Sequence, residues 1–252
     1  MGIYYTIDMP EFKNFNPLSD EEIELISKKI EEFLPDDDRL VLVVGLGNRY
    51  ITPDSLGPRS INKIIATRHV KDNNLFTEQF KHLRAVAAIA PGVLGQTGLE
   101  VLEVIYSLVN QIKPVAVIVI DALVSRNVNR LGCTIQLSNS GISPGSGVMN
   151  SRKEISQKVL GVPVVSIGIP TVVNATTLVY NIMNDRLINE EVSYQTFETK
   201  LKEKIEPYGS SMIVTPNEID NIIKNASDLL SLIINKALQK NLSISEINTL
   251  SS

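Results

Sequence analysis

Two aspartates have positions in the sequence that could support catalysis. Asp54 lies within VLVVGLGNRYITPDSLGP (residues 41–58), past an apolar run and a Gly-Leu-Gly turn, and Asp121 follows a second apolar run in VAVIVIDA (115–122). Two carboxylates that lie close together cannot both ionise easily and tend to share a proton. Such a pair can activate a water with one member and protonate a leaving amine with the other. Alternatively, the two carboxylates can hold a divalent cation.

Both aspartates can meet only if their strands end at the same edge of one sheet. Apolar, β-branched runs at 39–45, 84–90, 115–122, 133–137 and 163–170 predict strands, and patterns at 55–70, 97–112 and roughly 216–240 predict helices. Continuous apolar strands separated by helices are typical of a parallel sheet covered on both faces. We therefore predict a three-layer α/β/α fold with a mostly parallel central sheet. Because ligands of such sheets bind beyond the carboxyl ends of the strands, Asp54 and Asp121 should share one crevice.

Capping patterns predict where the helices begin. Ser19 and Glu22 form a capping box before an N-terminal helix whose apolar residues Ile23, Ile26, Ile30 and Phe33 share one face, whereas residues 1–18 look irregular. The other predicted helix starts are Pro58 in the first turn of 55–70, Thr97 with Glu100 before 97–112, and Thr215 with Glu218 before 216–240.

Each aspartate also has a structural interpretation. Asp54 follows a proline and could simply cap the helix predicted at 55–70. A carboxylate at the end of an apolar strand is costly unless it is paired or solvated, so Asp121 favours a functional interpretation.

The composition excludes several classes of protein. The 252 residues carry a net charge of −4 without a basic block, which disfavours direct nucleic-acid binding, and one cysteine, Cys133, excludes a disulfide framework or a multi-cysteine metal site. No apolar run is long enough to span a membrane, which with the lone cysteine indicates a cytoplasmic protein. Tyr50 replaces the third glycine of a dinucleotide-binding turn, and the lysine of a P-loop is missing. We expect one domain, with an N-terminal extension and helix at 1–38 and a core at 39–240, and no cofactor.

Several further residues are candidates for substrate contacts. The Gly/Ser-rich stretch SNSGISPGSGVMNS (138–151) is long for a turn, so it favours a functional loop whose backbone N–H groups line a peptide cleft. Arg126 has two interpretations: it attracts an acidic residue of the substrate, or it is a solvated surface charge. The predicted substrate-binding residues are Gly47, Asn48, Arg126, Gly145, Ser146 and Gly147.

These segments resemble the germination proteases, endopeptidases of spore-forming bacteria. The resemblance begins in VVGLGNRYITPDSLGP and covers most of residues 39–240 in the family's order. It continues through TRHV (67–70), IAPGVLGQTGLE (89–100), KPVAVIVIDALVSR (113–126), TIQLSNSGISPGSGVMN (134–150), LGVPVVSIGIPTVV (160–173) and MIVTPNEID (212–220).

The resemblance implies an activity and a setting. Germination proteases degrade small acid-soluble spore proteins as spores germinate, so these proteins are the expected substrates and the spore core the expected location. The family looks like an atypical aspartic-type peptidase whose two proposed catalytic aspartates match Asp54 and Asp121. Its fold is similar to that of hydrogenase maturation endopeptidases, and its members form tetramers. They are commonly made as zymogens, and the 38 residues before the first predicted core strand indicate a short form.

Some residues depart from the family pattern. Asn139, Ser143 and Asn174 stand where Asp, His and Asp are expected. Two alternatives therefore stay open beside the aspartate-pair endopeptidase. One is a metal-dependent endopeptidase of the hydrogenase-maturation type, and the other is a catalytically inactive paralogue that binds spore proteins.

Overall fold

A computed structural model describes residues 2–72, 82–145, 153–186, 199 and 212–251. Among them, seven strands form one mixed sheet with helices on both faces. The strands are β1 (Tyr4–Asp8), β2 (Val41–Gly45), β3 (Val86–Ile89), β4 (Ala116–Ser125), β5 (Thr134–Ser138), β6 (Val164–Asn174) and β7 (Ile213–Val214). The helices are α1 (Asp20–Glu31), α2 (Leu56–Ile61), α3 (Arg68–Asp72), α4 (Leu94–Thr97), α5 (Val101–Ile112), α6 (Gln157–Leu160), α7 (Ala175–Arg186), α8 (Ile219–Leu238) and α9 (Ile244–Leu250).

The sheet is parallel in its middle and antiparallel at one side. Its order is β1-β5-β6-β4-β2-β3, with β7 pairing the end of β6. The pairs β3–β2, β2–β4 and β4–β6 are parallel, whereas β5, β1 and β7 run antiparallel to their neighbours. The predicted α/β class is confirmed, and its parallel part consists of four of the five strands that the apolar runs indicated, whereas the fifth, β5, is antiparallel.

Alternate residues of the central strands face opposite helical layers. Val41 and Val43 pack in the cluster that contains α1 and α8, while Leu42 and Val44 pack in the cluster that contains α5. All five residues of β2 are buried, because helices cover the sheet on both sides. This burial from both sides confirms the three predicted layers.

The first strand corrects the expectation that residues 1–18 are irregular. Residues Tyr4–Asp8 pair antiparallel with β5, with Tyr4 opposite Ser138 and Asp8 opposite Thr134. Exposed and half-buried positions alternate along this strand, as expected of an edge strand with one face on the core. The expectation was wrong because five residues with this alternation are a short signal beside the polar residues around them.

The helix predicted at 55–70 is broken in two. α2 ends at Ile61 and α3 begins only at Arg68. Between them, the side chain of Asn235 on α8 donates to the carbonyl of Lys63 and accepts from the N–H of Ile65. These hydrogen bonds from a distant helix take backbone groups that would otherwise continue the helix, so tertiary contacts override the local pattern.

Of the four predicted helix starts, two are confirmed and two are wrong. Pro58 lies in the first turn of α2, as predicted. Ser19 and Glu22 form the capping box of α1, whose residues Ile23, Ile26 and Ile30 are buried. α5 begins at Val101 after Glu100, because the left-handed Gly98 ends the short α4 that contains Thr97.

The long helix α8 begins at Ile219, later than predicted. Thr215 does not cap it, since its hydroxyl donates to the carbonyl of Thr171 on β6. Within the described parts of the chain, neither α8 nor another helix has the length and apolarity needed to cross a membrane.

Candidate active site

Asp54 and Asp121 line the same cavity. The cavity has a volume of about 740 Å³ and lies beyond the carboxyl end of β2, beside residues 121–124 of β4, a strand that continues to Ser125 past its predicted end at 122. The two aspartates are the charged side chains among its described lining residues, and most of the other lining side chains are apolar. A concave, largely apolar cavity of this size with a few convergent polar groups is typical of a small-molecule or peptide site. The predicted shared crevice is therefore present.

Asp121 is held by a central strand. The β4 strand pairs with β2 on one side and with β6 on the other, and the ladder with β6 sets Asp121 opposite Gly168. Its side chain is 7% exposed, and one carboxylate oxygen, Oδ1, accepts the backbone N–H of Ala122 at 2.9 Å. The ladder with β2 ends at the pair Gly45–Ile120, so Asp121 is the first β4 residue beyond the end of β2. It thus sits where a ligand of an open α/β sheet is expected.

Asp54 is held by a folded loop. It ends a short 3₁₀ helix, Thr52–Asp54, and its Oδ2 accepts the backbone N–H of Asn48 at 2.8 Å. Helix α2 follows, and its N-cap residue is Ser55. Asp54 is therefore not the cap of this helix, contrary to its structural interpretation from sequence. The carboxylate instead closes the turn that leads out of β2.

Glycines allow this loop to fold back onto the end of β2. Gly47 has a φ of +112°, and a Cβ built there would lie 1.9 Å from the carbonyl oxygen of Asp54. A Cβ on Gly45 would lie 2.3 Å from the carbonyl oxygen of Gly57, at the start of α2. Only glycine permits such close approach of two backbone segments. The Gly-rich turn therefore packs the Asp54 loop against the strand rather than cradling a phosphate.

The side chain of Asn48 links this loop to the segment after β3. Its Oδ1 accepts the N–H of Tyr50 at 3.0 Å and the side-chain Nε2 of Gln96 at 2.8 Å. Gln96 lies on α4, next to Val93, which lines the cavity. The backbone of Asn48 thus contacts Asp54 while its side chain holds α4 near the cavity.

Sequence reasoning missed part of the cavity wall. Thr171 on β6 and Thr215 after β7 both line it. Gly141, Ile142 and Ser143 line it as well, within the Gly/Ser-rich loop that was predicted to line a cleft. The threonines lie in segments predicted as the end of a strand and the start of a helix. Pro170 was a usable signal, because a proline within an apolar strand often marks a bulge.

Some of the predicted substrate-binding residues lie at the cavity and others do not. Gly47 and Gly145 line the cavity, and Asn48 contacts Asp54 directly. Arg126 is exposed in the turn after β4 and is not among the described residues of the cavity wall. Ser146 and Gly147 lie outside the described residues.

The groups able to bind a metal or act as a nucleophile are sparse around the cavity. Across residues 2–72, 82–145, 153–186 and 212–251, no three His, Cys, Asp or Glu side chains come together as a cation site. His69 and His82 are exposed. The thiol of Cys133 donates to the carbonyl of Asn129, and burial raises its pKa, which disfavours the reactive thiolate.

Comparison with known sequences decides the family. The sequence model described as germination protease, peptidase A25, matches residues 1–189. The chain belongs to the germination protease family. It is therefore a peptidase, and the resemblance expected from the sequence motifs is confirmed.

Individual germination proteases match nearly the whole chain. The protein of Clostridium perfringens strain 13 is 42% identical over 268 residues, covering 98% of this chain and 81% of that protein. The protein of Caldanaerobacter subterraneus subsp. tengcongensis is 41% identical, and the match covers 99% of this chain and 82% of that protein. The protein of Oceanobacillus iheyensis is 34% identical, and the match covers 88% of this chain and 73% of that protein. Among solved structures, the [NiFe] hydrogenase maturation protease HycI of Thermococcus kodakarensis matches with a TM-score of 0.41 and 14% identity, covering 82% and 98%.

Proposed function

We propose that this germination protease degrades small acid-soluble spore proteins during spore germination, and that Asp54 and Asp121 jointly activate the attacking water. One observation carries the proposal. The two carboxylates come from segments far apart in the chain, yet both line one cavity at the ligand-binding edge of the sheet. Family membership supplies the class of reaction, and the family resemblance supplies the substrate.

The aspartate pair accounts for hydrolysis of a peptide bond. With one shared proton, the ionised carboxylate takes a proton from water as the water oxygen attacks the carbonyl carbon of the substrate. The neutral carboxyl donates its proton to the carbonyl oxygen, giving a tetrahedral intermediate. Collapse of the intermediate breaks the C–N bond and re-forms C=O, while one hydroxyl of the intermediate returns its proton to the carboxylate that protonated the carbonyl oxygen. The amine leaves with the proton taken from water, so one shared proton remains on the pair. The apolar wall of the cavity strengthens these charge interactions by excluding water.

The cavity is suited to an extended peptide segment. Its wall includes backbone of the segment Gly141–Gly145, and such N–H and C=O groups can pair with a peptide main chain. The apolar lining residues can accept uncharged side chains beside the scissile bond. They include Leu46, Ile51, Val93, Val101, Leu123 and Ile142.

Two of the three departures from the family pattern have structural contacts of their own. Asn139 exchanges hydrogen bonds with Ile3 at the start of β1: its Oδ1 accepts the N–H of Ile3 and its own N–H donates to the carbonyl of Ile3. Asn174 accepts the N–H of Thr176 at the start of α7. Neither residue is among the described residues of the cavity wall, whereas Ser143 is. This placement favours an active enzyme over a binding paralogue.

The test compares the two aspartates with an exposed one. The purified protein is incubated with a recombinant small acid-soluble spore protein, and intact mass is followed for the wild type, Asp54→Asn, Asp121→Asn and the surface control Asp220→Asn. We expect cleavage by the wild type and the control, and a loss of about 10³-fold or more in both site variants. Turnover retained by Asp121→Asn or Asp54→Asn would reject the aspartate pair.

Two further experiments distinguish this function from a metal-dependent endopeptidase and from an inactive paralogue. Cleavage that stops with a chelator and returns with a divalent cation would assign the carboxylates to a metal-dependent reaction. Spore protein that co-purifies with the wild type but is never cut would indicate the inactive paralogue. We also propose a tetramer in the spore core, which light scattering of the purified protein and fractionation of spores would check.

A further inference from the structure

The β6 strand contains a bulge beside the cavity. In its parallel ladder with β4, Leu123 is opposite Pro170 and Val124 is opposite Val172, so Thr171 is an extra residue without a partner in the register. Pro170 has no N–H for the ladder, and prolines inside sheets are confined to edges, strand starts and bulges. A bulge re-aims a side chain out of the regular alternation, and bulges are common next to active sites.

The re-aimed side chain reaches the loop that holds Asp54. The hydroxyl of Thr171 donates to the carbonyl oxygen of Pro53 at 2.8 Å, although the two residues are 118 positions apart. Thr171 is 1% exposed, and the hydrogen bond itself is partly buried at the wall of the cavity. The carbonyl of Thr171 in turn accepts the hydroxyl of Thr215 at 3.0 Å, which fixes the bulge from its other side.

The hydrogen bond between Thr171 and Pro53 connects the strand that pairs with the Asp121 strand to the loop that contains Asp54. β6 is the strand that pairs with β4, and its ladder includes the pair Asp121–Gly168. Three residues after Gly168, Thr171 holds the peptide group that precedes Asp54. The carboxylate of Asp54 is fixed from the other side by the N–H of Asn48. The β6 strand is therefore hydrogen-bonded both to the strand that carries Asp121 and to the loop that carries Asp54.

We propose that Thr171 is a positioning residue, whose hydroxyl fixes the Pro53 carbonyl and thereby the placement of the Asp54 carboxylate relative to Asp121. The inference rests on the proposed function, because it assumes that both aspartates act in the reaction. A misplacement of about 1 Å in a reacting group can cost about a hundredfold in rate. The hydroxyl of Thr171 should accordingly affect turnover more than substrate binding.

The experiment uses three variants. Thr171→Val keeps the branched shape and removes the hydroxyl, while Thr171→Ser keeps the hydroxyl. Thr134→Val is the matched control, since Thr134 is also a buried strand threonine whose hydroxyl donates to a carbonyl, that of Arg130, away from the cavity. Two quantities are measured: kcat and KM with a recombinant small acid-soluble spore protein, and hydrogen exchange of the Asn48 amide by NMR. The Asn48 amide reports the position of the Asp54 carboxylate without any need for turnover.

The proposal expects a specific pattern. Thr171→Val should lower kcat about tenfold to a hundredfold with KM within about twofold, and should speed exchange of the Asn48 amide about tenfold. Thr171→Ser should have a kcat and an Asn48 exchange rate close to those of the wild type, and Thr134→Val should change neither kcat nor the exchange rate. Unchanged Asn48 exchange together with a kcat within about twofold of the wild type would overturn the proposal, as would equal effects of Thr134→Val.

The design also separates this proposal from the proposed function. If the wild type cleaves and Asp54→Asn does not, an active Thr171→Val rejects the positioning role alone. If the wild type does not cleave the spore protein, the proposed function fails, and the Asn48 exchange still decides whether Thr171 places the carboxylate.

Discussion

The two aspartates line one cavity, but they are held by different kinds of structure. Asp121 belongs to β4, which has a hydrogen-bonded strand on each side and is buried from Ala116 to Asp121. Asp54 belongs to a loop held by its own turn hydrogen bonds and by the hydrogen bonds that Asn48 and Thr171 donate to it. The ladder distributes its support over many residues, whereas the loop concentrates it in a few. We therefore expect changes around Asp54 to reduce activity more than stability, and changes around Asp121 to do the reverse.

The largest effect is expected for Gly47→Ala. The new Cβ would lie 1.9 Å from the carbonyl oxygen of Asp54, and the backbone at Gly47 has a φ of +112°. The loop must move to make room, so kcat should fall by about a hundredfold or more. Turnover of the spore protein and the thermal midpoint by circular dichroism would measure the two effects.

Gly161→Ala is the control for the backbone strain. Gly161 also has a positive φ, +75°, but a Cβ there meets no atom within 4 Å. It should cost about 1–2 kcal/mol of stability from the left-handed conformation and leave kcat unchanged. Equal losses of activity in the two variants would break the comparison between loop and strand.

A smaller effect on activity is expected for Gly168→Ala, opposite Asp121. The new Cβ would lie 2.6 Å from Cγ of Leu123 and 2.9 Å from the carbonyl oxygen of Asp121. The leucine side chain can shift, and the carbonyl of Asp121 must give by a few tenths of an ångström within the ladder, so the variant should lose about 1–3 kcal/mol of stability through overpacking. Its kcat at a temperature where it stays folded should fall less than that of Gly47→Ala. A larger kcat loss than in Gly47→Ala would show that the strand is the more sensitive support.

Gln96→Ala should have a modest effect. It removes the exposed hydrogen bond between Nε2 of Gln96 and Oδ1 of Asn48, but leaves the N–H of Asn48 on Asp54. We expect kcat to fall by about twofold to fivefold, with stability within about 0.5 kcal/mol of the wild type. Gln157→Ala, an exposed glutamine on α6, is the matched control. If steady-state kinetics give the same kcat for Gln96→Ala and Gln157→Ala, Gln96 does not help to hold the loop.

The smallest effect on activity is expected at the far helix α1. The backbone N–H and the hydroxyl of Ser19 hold the pKa of Glu22 below its ordinary value. A carboxyl whose pKa is lowered in the folded state contributes stability above its unfolded pKa, and that stability is lost as the pH falls through the folded pKa. The thermal midpoint of the wild type should therefore decline from about pH 5 to about pH 3, and that of Glu22→Gln should decline less steeply.

Activity at neutral pH tests whether α1 affects stability without affecting catalysis. Glu22→Gln should cleave the spore protein at the wild-type rate, and Glu21→Gln, in the same turn but outside the capping box, is the matched control. A loss of kcat in Glu22→Gln would mean that α1 and the cavity are coupled.

The central strands and the shared crevice followed from local sequence because local patterns decide them. A strand buried on both faces requires a continuous apolar run, and 39–45, 84–90 and 115–122 have one. The end of β2 then lies beside β4, which places the Asp54 loop and Asp121, the first β4 residue beyond β2, at one cavity. The support of Asp54 could not be predicted in this way, since Thr171 reaches Pro53 only through a bulge. The break in helix 55–70 likewise depends on Asn235, far along the chain.

The placement of β1 has a consequence for solubility. Residues Tyr4–Asp8 cover the outer edge of β5, whose other edge pairs with β6. An uncovered strand edge is a template for pairing with another chain, and thus for aggregation. β1 is a short strand that ends in the charged Asp8, both features that discourage such pairing. The first residues of the chain therefore protect the antiparallel side of the sheet from self-association.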